Sequence, residues 1–146
     1  MYKNELALYQ KAEKMTDSPR ETEARVLTHG AQKLRFCMER WESEERDGLL
    51  SEALRYNQRI WSIFQADLTS PESVVPEDLK RNLLKLGAFV DRQIFTIMAF
   101  PSPDKLEPII RVNLGLATGL RKKTAPLKQP VQADTETGTR EIEITG

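Results

Sequence analysis

One cysteine, one histidine, no excess of charge and no long apolar run mark this 146-residue sequence, and each shortage excludes something. Cys37 alone cannot close an internal disulfide, which fits a reducing compartment. His29 and Cys37 fall in the same helical stretch, but a structural zinc site takes about four ligands of this kind. The chain also lacks a Gly-rich phosphate loop, an HExxH pair and a GxSxG elbow. No enzyme, metal or cofactor is therefore expected. Lys+Arg and Asp+Glu number 22 each, so the net charge is zero, which argues against binding driven by nucleic-acid phosphate or an anionic membrane. No run approaches the roughly 18 apolar residues of a membrane span. The opening MYKNELALYQ has no uninterrupted apolar signal core, so a cytoplasmic location is expected.

What is present is helical periodicity. In LLSEALRYNQRIWSIFQADL (residues 49–68), Leu50, Leu54, Asn57, Trp61, Phe64 and Leu68 recur in steps of four and three. Leu49, Ala53, Tyr56, Ile60 and Ile63 widen the stripe to about half the cylinder, as in a helix packed between several neighbours. Before it, Asp17-Ser18-Pro19-Arg20-Glu21 is a helix start, with Ser18 at the N-cap and Pro19 at the first helical position. Ala24, Leu27, Ala31, Leu34, Met38 and Trp41 carry that helix to about residue 45, and Asp47-Gly48 is read as a break. Gly30 inside it costs about 1 kcal/mol of propensity, which a close helix crossing would explain.

Thr69-Ser70-Pro71 stops the central helix and Pro76-Glu77-Asp78 opens the next. Leu79, Leu83, Leu86, Val90, Ile97 and Phe100 form its stripe, broadened by Leu84, Phe89, Ile94 and Met98. After Pro101-Ser102-Pro103, a shorter helix carries Leu106, Ile110, Leu114 and Ala117 on one face, with Pro108 tolerated in its first turn. The fold class expected is all-α: a small helical bundle of three long helices (18–45, 49–69, 76–100) and a shorter fourth (105–120). An N-terminal arm (1–17) precedes a helical domain (18–121), and a disordered polar tail (122–146), rich in Thr, Pro, Gly and charge, comes after it.

So many apolar side chains compete for a small interior. Leu49, Tyr56, Ile63, Phe36 and Phe95 exceed what three helices bury, and some are expected to surface as a patch for a partner helix. Asn57, an amide in an apolar seam, either fixes helix register or meets a group from outside.

An ordered set of elements then resembles the flagellar biosynthesis regulator FlaF family. Asn57, Arg59 and Trp61 stand as an Asn-x-Arg-x-Trp element ahead of Asp67-Leu68. Pro76, Glu77 and Leu79 come next, then Leu86-Gly87, Val112-Asn113 and Gly119-Leu120. Met1-Tyr2 and the helix start at Asp17–Glu21 fit as well, so the resemblance covers residues 1–121. It departs from the usual pattern in a longer arm before Ser18 and in the tail. The resemblance implies a non-enzymatic flagellar protein, a flagellin-binding secretion chaperone or regulator needed for flagellin production and filament assembly. Flagellin is the implied partner, with a FlbT-type regulator beside it. The alternative is post-transcriptional control of flagellin expression through RNA or through that regulator, although neutral charge weighs against direct RNA contact. Asn57, Arg59, Trp61 and Asn113 are the candidate partner-binding residues. The alternative for the two asparagines is pairing with each other or with backbone carbonyls, and Trp61 is also expected to anchor the core.

Overall fold

The computed structural model describes residues 19–124. The expected arm, the Ser18 cap and the tail beyond Thr124 lie outside the described residues. Within them the chain is all-α: α1 (Pro19–Glu39), α2 (Arg46–Thr69), α3 (Glu77–Ala99), a 3-10 turn (Pro103–Leu106) and α4 (Glu107–Thr124). No strand occurs among the described residues.

Three boundaries differ from expectation. α1 ends at Glu39 rather than near residue 45. Its last amides tighten into three-residue turns, Arg40 N–H on Cys37 O (3.1 Å) and Trp41 N–H on Met38 O (3.3 Å). Between Trp41 and Leu49 no large apolar residue supplies a face to bury, so nothing favours continuing the helix there. α2 starts at Arg46 and runs through Asp47-Gly48, which is not a break. Gly48 is the third residue of the helix, and burial of the apolar face beginning at Leu50 outweighs its loss of propensity. α4 continues to Thr124, so Arg121 and Lys122 sit in its last turn, where cations complement the dipole.

The buried line of α3 is also rotated from the one expected. Leu86, Val90, Ile94 and Ile97 are its core residues, so Ile94 belongs to the centre. Phe100 lies beyond the last helical turn, at φ −141° and ψ 85°, and its ring leaves the stripe for solvent. Of the apolar surplus, Tyr56 is buried, whereas Phe36, Ile63 and Phe95 surface.

The described chain forms two compact units, one of residues 19–29 with 112–124 and one of residues 30–111. In the larger, hydrogen bonds and ion pairs give the directions of the helices. Gly30 meets Asn57, Lys33 meets Glu52 and Cys37 meets Arg46, so residue numbers rise on α1 as they fall on α2. The two helices are antiparallel. α2 and α3 pack next to each other, with Gln65 beside Gly87 and its amide 3.4 Å from Asp91. A connection as short as residues 70–76 makes antiparallel neighbours of them as well. Gln93 Nε2 donates to Lys105 O (2.9 Å) and ties the 3-10 turn back to α3. In the smaller unit, Asn113 donates to Leu27 O and Arg121 pairs with Glu21 (3.1 Å), again an antiparallel arrangement.

Trp61 is 1% exposed and meets Phe64 edge to face at 5.8 Å. Trp61→Ala should therefore destabilise the protein by about 3–5 kcal/mol, read from chemical denaturation; a midpoint close to that of wild type would contradict the core role. Two glycines offer a finer comparison. A Cβ on Gly48 would meet nothing, whereas on Gly87 it would strike the Gln65 side chain. Gly48→Ala should raise stability by up to about 1 kcal/mol, and Gly87→Ala by less, because Gln65 must give way.

Candidate partner-binding surface

The sequence-selected residues divide by depth. Asn57 and Asn113 are fully buried. Asn57 Nδ2 donates to Gly30 O (3.1 Å) and to Ala53 O, one turn back on its own helix (2.8 Å). Asn113 Nδ2 donates to Leu27 O (3.1 Å). Backbone carbonyls thus take both amides, the internal pairing that the sequence left open. Trp61 lies one turn beyond Asn57 and shares its buried face. Arg59, two residues from each, is exposed, the one member of the set open to solvent. The structure therefore brings Asn57 and Trp61 together inside the unit of residues 30–111 and leaves Arg59 on the surface of that unit, while Asn113 belongs to the other unit.

The outside of α3 carries what sequence reasoning places only in part. Phe95 is 73% exposed, Met98 62% and Phe100 72%. The sequence puts Phe95 among the surplus, but its spacing puts Met98 and Phe100 in the buried stripe. The signal that separates them is the end of the helix at Ala99, and the proline pair beyond it marks that end. Lys105 Nζ lies 5.6 Å from the Phe100 ring centre, so a cation borders the apolar group. On α1, Phe36 is partly exposed beneath the Arg40 guanidinium, 4.0 Å above its ring. Three large apolar side chains within six residues are thus exposed at this end of α3, and exposed apolar surface of this kind marks sites of protein contact.

Among the described residues no cluster of three or more His, Cys, Asp or Glu side chains could hold a metal. Cys37 is buried, and burial pushes its thiol above the ordinary value, an effect that the nearby Arg46 charge only partly offsets. A thiol held protonated is a poor nucleophile. Among the described residues no helix is long and apolar enough to cross a membrane.

Comparison with known proteins gives a family. The model of the flagellar protein FlaF matches residues 6–120, most of the chain, including the Asn57-to-Trp61 element, all of α2 and α3, and Asn113. No curated protein and no solved structure matches. A match of this extent, on a chain whose described part is all-α throughout, settles where it belongs: the protein is a member of the flagellar protein FlaF family.

Proposed function

We propose that this flagellar protein binds flagellin and acts as its secretion chaperone, or as a regulator that works through that contact. The observation that carries the reading is the exposure of three large apolar side chains, Phe95, Met98 and Phe100, at the end of α3. Filament subunits must stay unpolymerised before export, and disordered amphipathic segments are held by adding a helix to an apolar surface. Arg59, exposed on α2, is the polar group proposed to orient the bound segment. Asn57 and Trp61 support it from within, by fixing α2, which carries Arg59 and packs against α3. A FlbT-type regulator as the primary partner is the other reading, tested by the same titration with that regulator in place of flagellin.

Calorimetric titration of purified flagellin tests the reading. Wild type should bind at tens of micromolar or tighter. Phe95→Ser/Met98→Ser should weaken binding by about tenfold or more, since truncating interface anchors costs upward of about 1 kcal/mol each. Arg59→Ala should weaken it by a smaller factor. All three positions are exposed, so the melting temperatures should stay close to that of wild type. No binding by wild type would remove the chaperone function, and equal affinities would remove these residues from the surface.

A further inference from the structure

α3 has two seams. The inner one, through Leu86, Val90, Ile94 and Ile97, belongs to the core. The outer one lies on the opposite side of the helix and reads Arg81, Lys85, Ala88, Arg92, Phe95 and Ala99. Its steps are four, three, four, three and four, so the six residues line one face along the length of the helix. Every one of the six is exposed. From Arg81 to Ala99 the seam runs roughly 27 Å at about 1.5 Å per residue, five turns of helix.

The chemistry of the seam is specific. The carboxylates on its margins are engaged: Asp78 Oδ1 pairs with Arg81 at 2.8 Å, and Asp91 accepts from Gln65. Lys85 and Arg92 make no side-chain ion pair among the described residues. They stand two turns apart with Ala88 between them, and Phe95 comes one turn later. Alanines at 88 and 99 let a second backbone approach, Phe95 offers an apolar knob, and the two cations call for carboxylates opposite.

We propose that this outer seam of α3 docks an acidic amphipathic helix of a partner protein, its carboxylates on Lys85 and Arg92 and its apolar side chains around Ala88, Phe95 and Ala99. The proposal rests on the reading that this protein works by binding another protein, and it names the chemistry of that partner. A second copy is a poor occupant, because it offers no carboxylate to the cations: paired in parallel the seam sets cation against cation, and paired antiparallel it sets Lys85 opposite Phe95 and Arg92 opposite Ala88. Nucleic acid is a poor one too. Two or three phosphate contacts on a chain of zero net charge bind weakly, and half of the seam is apolar.

The test uses the full chain and a labelled designed peptide. The peptide is an amphipathic helix with glutamates placed to face Lys85 and Arg92 and leucine or alanine at its other seam positions; a control carries lysines in place of the glutamates. Fluorescence anisotropy should show wild type binding the acidic peptide at least about tenfold more tightly than the basic one, with the difference falling as salt rises. Lys85→Glu/Arg92→Glu should reverse the preference without moving the melting temperature. Equal affinities for the two peptides, or none for the acidic one, would overturn the proposal. So would tighter binding of a single-stranded RNA that the double variant loses, or a wild-type dimer that the double variant dissolves. Flagellin separates this proposal from the chaperone reading. Flagellin bound as well by the double variant as by wild type keeps the chaperone and overturns the seam as its site. The acidic peptide bound while flagellin is not keeps the seam and ends the chaperone reading.

Discussion

The larger unit depends on one buried side-chain amide. Asn57 has no solvent contact and satisfies its donors on Gly30 O of α1 and Ala53 O of α2. A buried amide without partners costs roughly 1–3 kcal/mol, so this pairing selects one register of α2 on α1. A slip by a single residue would move the amide about 1.5 Å along the axis and about 100° around it, away from the carbonyl. Gly30 is buried at the point where the two helices meet, and its carbonyl takes the amide there. Apolar contacts supply most of the energy around it, through Trp61, Leu54 and Ile60, but they tolerate sliding far better than a hydrogen bond does.

α3 shows how a small all-α protein divides its labour along one element. One side completes the core and the other faces water with cations, alanines and a phenylalanine. Because the inner seam packs in the core beside α2, the buried residues fix which side of the helix faces water. Family membership covers both sides of this helix, since the match extends from residue 6 to residue 120.

How much of this is legible in the sequence depends on the range over which each signal acts. Helix existence comes through clearly, because period and proline punctuation are local: Thr69-Ser70-Pro71 and Pro101-Ser102-Pro103 mark two ends closely. The α1–α2 corner does not, because a charged run with no apolar member reads equally as exposed helix or as turn. Ser43 decides it, its hydroxyl accepting from the Glu45 N–H at 2.8 Å. Met98 and Phe100 read as buried because a hydrophobe near the end of a stripe looks like a member of it. The depth of Asn57 and Asn113 is open in the sequence for a different reason: an amide within an apolar stripe is equally compatible with an internal carbonyl and an external ligand. Only the three-dimensional position of Gly30 O and Leu27 O resolves that.

The lone thiol carries a consequence of its own. Cys37 lies at the end of α1 with its sulfur 4.0 Å from Arg46 O, at the corner where the chain turns back into α2. Closed, the corner shields it from reagents and keeps its proton on; opened, it exposes an ordinary cysteine. The rate at which an alkylating agent consumes it is thus a clock for how often this corner comes apart. Proteins open locally as well as globally, and comparing that rate with global unfolding would tell which of the two exposes the thiol. A single reporter, free of interference from any other sulfhydryl in the sequence, stands at the joint between α1 and α2.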